Sequence, residues 1–163
     1  YNMNPQAVQW LNERLDGFTV SVELNKDELR HLPLQRGEMI LYGRTPLMHT
    51  SNCIFLTKGD CRKQSEQKTG VLKDRTNASI SFRGHCEENV CYNTVYNSVA
   101  TSLHKHKKEL ERLSCNRFQL RFTTETNEEV KKILSLYQDF ADNKIINEVD
   151  FSYTNGHFLR GVQ

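Results

Sequence analysis

Four cysteines crowd the middle of the chain, Cys53, Cys61, Cys86 and Cys91, with seven, twenty-four and four residues between successive members. Two local pairs joined by a long connection suit a four-ligand metal site, because each pair supplies two thiolates and the connection lets the pairs meet. Sulfur donors in that number select zinc or an iron–sulfur cluster, since tetrahedral thiolate geometry serves both. Four independent free cysteines are the plain alternative, because neither spacing is the tight CxxC of zinc ribbons and ferredoxins. His49 and His85 flank the region and can stand in as ligands or remain ordinary surface histidines. The fifth cysteine, Cys115, lies between a helical and a strand pattern and reads as a small core residue. No HExxH helix, phosphate-cradling glycine loop or Ser-His-Asp order accompanies them.

The compartment follows from the same count. Five cysteines fit a disulfide framework poorly, so a reducing, cytoplasmic setting is expected, in which the sequon Asn77-Ala78-Ser79 has no consequence. A chain of 163 residues with 26% charged residues and a mean hydropathy of −0.68 reads as one soluble domain. No stretch approaches the roughly 20 apolar residues of a membrane span, and no signal peptide is legible. A net charge of +2 does not by itself imply nucleic acid, and the basic cluster "HKHKKELERL" reads as a solvated helix face.

Regular elements surround the cysteines. "NPQAVQWLNERL" predicts a helix with Asn4 as cap, Pro5 at its first position, and Val8, Leu11 and Leu15 on one face, closed by Gly17. "FTVSVEL" alternates, with Phe18, Val20, Val22 and Leu24 opposite Thr19, Ser21 and Glu23. "NKDELRHL" reads as a short helix and "EMILYG" as a strand. No long period survives over 45–102, which is expected to be an irregular, cysteine-bearing insert. Beyond it come a helix around "SLHKHKKELERL", the strand "RFQLRFTTE", and the clearest helix, "TNEEVKKILSLYQDFA". There Thr126 and Glu129 make a capping box, and Val130, Ile133, Leu134 and Tyr137 the apolar stripe. "VDFSYTNGHFLRGVQ" closes the chain as strand and then loop.

This order is an α/β alternation of about three β/α units, for which parallel strands are expected. A closed (β/α)8 barrel needs about 250 residues, so a partial, TIM-like barrel is the expectation. Parallel strands covered on both sides are usually continuously apolar, yet two of these carry Thr-Ser-Glu and Gln-Arg-Thr on one side. Those faces are either solvent-facing or the polar lumen near strand ends where barrel active sites gather. Glu23 and Arg121 are the lumen candidates.

Four segments, in order, resemble peptidase family U-32, the collagenase-like peptidases. "LYGRTPLMHTSNC" resembles the family's Y-G-R-x-P-L-M-x(4)-C, "VLKDR" its L-K-D-R, "CYNTVYNS" its C-x-N-x-I-Y-N-S, and "TNGHFLRGVQ" its closing G-H-F-x-R-G-V-E. "SVEL" is similar to the preceding S-x-E-L. The resemblance implies a single domain over 1–163 that is the C-terminal part of a longer barrel protein. Its natural partner is then the N-terminal half of the barrel, or a second copy in a homodimer covering the same exposed strands.

The resemblance also implies chemistry. Family members are linked to peptidase activity, or to oxygen-independent hydroxylation of RNA bases or of a quinone precursor by proteins with a [4Fe–4S] cluster. Carried over residue by residue, the cluster ligands are Cys53, Cys61, Cys86 and Cys91, although "EENV" between the last two is longer than the family's gap. Zinc in the same thiolates, in a non-catalytic interaction module, is the alternative. Arg44 becomes a holder of an anionic substrate group or a partner in a structural ion pair. With Glu23, Arg121 and His157 it completes the catalytic candidates at the barrel mouth. RNA or a small molecule is the expected substrate, with no membrane partner.

Overall fold

A computed structural model describes residues 3–57, 59, 68–87, 90–146 and 148–161. Cys61 lies outside them. Helix α1 (Pro5–Arg14) starts as its sequence dictates, with Asn4 Oδ1 accepting the Ala7 N–H at 2.8 Å and Pro5 in the first turn, where no amide proton is needed. Its Val8 is fully buried, whereas Leu15 is its extended, exposed cap. Strand β1 (Phe18–Thr19) follows, then α2 (Lys26–Arg30), whose Asn25–Glu28 capping box satisfies both ends of the first turn. Strand β2 (Gly37–Gly43) is the centre of the first sheet.

Three parallel strands form this part of the fold as the α/β alternation requires: β1 and β8 (Arg117–Arg121) both run parallel to β2. The same sheet also holds β7 (Ala100–Ser102), antiparallel to β2, and β9 (Tyr153–Thr154), parallel to β7. The fold is mixed α/β, and the described strands do not close into a barrel. Helix α5 (Asn127–Ala141) carries the expected Thr126–Glu129 capping box and buries Ile133, Tyr137 and Phe140. Leu134, expected in that stripe, is exposed. Each helical residue advances about 100°, so a face centred on 133, 137 and 140 leaves 134 one step round the helix.

The largest departure from expectation is the stretch 45–102, which is not irregular. It contains β3 (Pro46–Thr50), α3 (Ile54–Thr57), β4 (Lys68–Lys73), β5 (Ser79–Glu87) and β6 (Val90–Tyr96), and the strands form a second, antiparallel sheet in the order β3-β6-β5-β4. Its apolar centre is small: Phe82 and Val95 are buried, and the Phe55 ring lies 5.0 Å from that of Phe82. Gly70 opposes Phe82, where a Cβ would stand 2.6 Å from the ring. The β4–β5 turn is held by Asp74 Oδ1, which accepts from the Thr76 N–H and hydroxyl and the Ala78 N–H. These bonds hold the carboxyl below its ordinary range, the Thr76 hydroxyl being the largest contribution.

The helix expected around 102–113 shrinks to α4 (Lys107–Leu110). Leu103 still donates its N–H to Leu41 O at 2.9 Å, so the chain remains in the ladder until the turn that precedes α4. Beneath it the Tyr137 hydroxyl donates to Leu41 O at 2.7 Å and accepts the Leu103 N–H at 3.2 Å. With its proton spent, Tyr137 accepts from the Ser102 hydroxyl at 3.0 Å, and Ser102 in turn accepts from His104 Nδ1 at 2.8 Å. This count leaves His104 Nε2 as a bare lone pair, matching its position as a buried nitrogen without a partner. No helix among the described residues is long and apolar enough to cross a membrane.

Candidate functional site

A cavity of roughly 320 Å3 opens where the two sheets meet. Its walls come from the segments just beyond the carboxyl ends of the parallel strands: Ser21 after β1, Arg44 after β2, and Arg121 at the end of β8. The turn after β9 adds Asn155, Gly156 and His157. Parallel strands place ligands at this end because their connections diverge there and leave a crevice. Apolar side chains such as Val20, Met39, Leu103 and Phe158 line the interior, and no Asp or Glu is among the lining residues. A chamber with cationic groups and no carboxylate favours an anionic ligand.

Three of the four expected mouth residues therefore meet in one place. Glu23 does not: it is exposed on the segment after β1, its N–H donating to Ser21 Oγ, and it is not among the lining residues. Arg44 is committed to structure. Its Nη1 donates to the carbonyls of Asn97 and Ser98, and its Nε stands 3.6 Å from Glu125 Oε1. Glu125, whose side chain is only 3% exposed, also accepts from the Tyr42 hydroxyl at 3.2 Å and from the Thr123 and Thr124 N–H groups. Burial, reinforced by this carboxylate, pushes the Tyr42 hydroxyl well above the usual tyrosine range. Glu125 is the buried acid that sequence reading missed, since "TTETNEEV" advertises only its helix cap.

Of the expected residues, the polar side chains left at the mouth are Arg121 and His157. Arg121 is exposed and reaches Gln119 Oε1 at 3.0 Å. His157 pairs its Nδ1 with Gly161 O at 3.1 Å, which makes Nδ1 the protonated nitrogen of the neutral ring and leaves Nε2 as the acceptor. Its turn is braced by Gly156 and Gly161, both at positive φ, and by the Lys26 N–H donating to Phe158 O at 2.8 Å.

The cysteines stand at the other end of the second sheet. Pro46, which lines the cavity, and Tyr96 begin the β3–β6 ladder, and Cys91 lies five strand positions from Tyr96 along β6. At the strand rise this is roughly 16 Å, so mouth and thiols are two sites. Cys86 and Cys91 face each other across β5 and β6 and are joined by a disulfide, with their Cα atoms 4.3 Å apart. Cys53 is free and half-buried, and its Sγ accepts the Leu56 N–H at 3.4 Å. The Cys53 segment packs on the disulfide-bearing face, because Asn93 Nδ2 donates to Asn52 O at 2.8 Å and Phe55 covers Gly84, two residues before Cys86. Asn93 Oδ1 is buried there without a partner. In donor type the described cysteines suit a thiolate-held group, and the Cys53 segment lies against the face that carries the other two; as bonded, those two are occupied by each other. Among the described residues no three His, Cys, Asp or Glu side chains are grouped to hold a metal ion.

Neither flanking histidine joins them. His49 Nδ1 meets Thr94 Oγ1 at 3.1 Å, and His85 stacks on Tyr92 with ring centres 4.5 Å apart, on the opposite face from the disulfide. Cys115 is a core residue as expected, its thiol donating to the Gly37 carbonyl and pushed up in pKa by burial. The Ser102–His104 pair has the contact of an activated nucleophile, but the two residues are 0% and 2% exposed, so a peptide cannot reach them. Comparison with family models, with curated proteins and with solved structures returns no match for this chain.

Proposed function

We propose that this chain is the C-terminal part of a TIM-like barrel protein of the U-32 kind, and that it belongs to an iron–sulfur-dependent hydroxylation system acting on RNA or a quinone precursor. The observation that carries the reading is the pairing of Cys86 and Cys91 on the face against which the Cys53 segment packs, in a sheet rooted at the cavity. Cys53, Cys86 and Cys91, with Cys61 outside the described residues, would hold the cluster once the disulfide is reduced. A [4Fe–4S] cluster supplies one-electron transfer, with its potential set by the surrounding hydrogen bonds and burial. Zinc in the same thiolates is the alternative metal. This chain's own contribution to substrate is the mouth: Arg121 and His157 offer charge and hydrogen bonds to an anionic group, and the apolar walls take the uncharged body.

The parallel strands support the barrel part of the proposal. β8 pairs only with β2 among the described strands, leaving an outer edge on which the rest of a barrel, or a second copy, would continue the sheet. The test is anaerobic purification and reconstitution with iron and sulfide, followed by metal and sulfide analysis and a visible spectrum. The expected result is about four irons and four sulfides per chain with broad charge-transfer absorption. Zinc alone, or no metal after reconstitution, overturns the hydroxylation reading.

A further inference from the structure

We infer that Cys86 and Cys91 form a reversible dithiol–disulfide couple, a redox-modification site at the tip of the β5–β6 hairpin. The geometry is built by the ladder. β5 and β6 pair in continuous register from Phe82–Val95 to Glu87–Val90, so Cys86 and Cys91 are direct cross-strand partners. A Cα separation of 4.3 Å is that of a close, non-hydrogen-bonded antiparallel pair, which points the two side chains toward each other. Both cysteines are half-buried rather than enclosed, so small thiols and disulfides have access. Cys115 is the internal contrast: it is buried, its thiol is engaged with backbone carbonyls, and it has no sulfur partner.

The reaction balances with a low-molecular-weight disulfide as oxidant. One thiolate of the pair attacks it, forms a mixed disulfide and releases the first small thiolate. The second cysteine then attacks the protein sulfur of that mixed disulfide, closes the Cys86–Cys91 bond and releases the second small thiolate. Two protein thiols thus give up two protons and two electrons, and the small disulfide becomes two thiols. The preset register favours the second step over accumulation of the mixed disulfide, because the resolving sulfur is already opposite the attacked one. The same sulfurs cannot be bonded to each other and ligate a metal, so the couple determines when they are available as donors. The inference does not depend on which metal, if any, they bind.

Tryptic cleavage after Arg83 and Lys105 yields one peptide, Gly84–Lys105, holding Cys86 and Cys91 and no other cysteine. Chelator-treated native protein is equilibrated across a series of reduced and oxidised glutathione ratios, quenched with an alkylating agent, digested and weighed. The expected result is a single transition from a doubly alkylated peptide to an unalkylated one that is two hydrogens lighter than the free dithiol peptide, without a plateau of mixed disulfide. In Cys86→Ser the remaining Cys91 is expected to accumulate the glutathione adduct instead. Double alkylation at every ratio, or a stable glutathione adduct on the unsubstituted pair, overturns the inference. Because the protein is metal-free throughout, a failure here is separate from a failure of the iron–sulfur reading.

Discussion

Replacing Tyr137 by Phe removes one oxygen from the centre of the first sheet, and the structure says how much that should matter. The hydroxyl donates to Leu41 O, accepts the Leu103 N–H and accepts from Ser102. Three lost bonds would suggest a large effect, yet Leu103 N–H also donates to Leu41 O at 2.9 Å. Those two backbone groups therefore keep each other, and the net loss is the hydroxyl's bond to Leu41 and its contact with Ser102. At about 0.5–1.5 kcal/mol each, the change should destabilise by about 2 kcal/mol. For a chain of this length that corresponds to a drop of about 4–8 °C in Tm. Urea unfolding followed by far-UV circular dichroism measures it, with Ser102→Ala and the double variant closing a cycle. The two losses should be non-additive by at least about 0.5 kcal/mol, because they share one bond. A loss above about 4 kcal/mol would refute the reasoning by showing that the backbone pair does not hold without the hydroxyl; strict additivity would show that Ser102 and Tyr137 do not interact.

Three further outcomes follow from other parts of the fold. His104 is held neutral, its pKa depressed chiefly by burial and then by the charges of Lys105 and His106. The unfolded chain, with an imidazole near 6.5, therefore takes up the proton first, so this contribution to stability is complete above about pH 7 and is lost as pH falls below that value; in urea titrations at several pH values, His104→Asn should flatten that part of the profile. Gly43→Ala places a methyl 2.8 Å from Arg121 O at a φ of +153°, so it should loosen the β2–β8 pair by about 1–3 kcal/mol in thermal unfolding. Phe82→Ala empties the small core of the second sheet and should cost about 3–5 kcal/mol, with hydrogen exchange in β4, β5 and β6 accelerating more than in α5.

What was legible in the sequence was local. Asn4 with Pro5, and Thr126 with Glu129, announce α1 and α5 because a cap is satisfied within four residues of itself. The second sheet was hidden because its strands mix Thr, Ser and Gly with few large apolar residues, and among its described residues Phe82, Val95 and Tyr96 are the buried apolar positions. Its order depends on pairings distant in sequence, such as Thr50 with Asn93. The facing of Cys86 and Cys91 had a signal that was read differently. Four intervening residues suit two positions that face each other across an antiparallel pair, with Glu87 and Val90 paired between them. Arg44, Arg121 and His157 were legible as a group, but Glu125, which occupies Arg44 from beneath, was not, because its burial is a property of the packed fold.

The central claim, that the insert thiols hold an iron–sulfur cluster while Cys115 does not, is tested most directly by iron and sulfide content per chain across single cysteine substitutions, after anaerobic reconstitution under reducing conditions. The account predicts that Cys53→Ala, Cys86→Ala and Cys91→Ala each lose the cluster and its visible absorption, while Cys115→Ala retains both. Undiminished iron in the first three variants, or no iron in the unsubstituted protein, would contradict it.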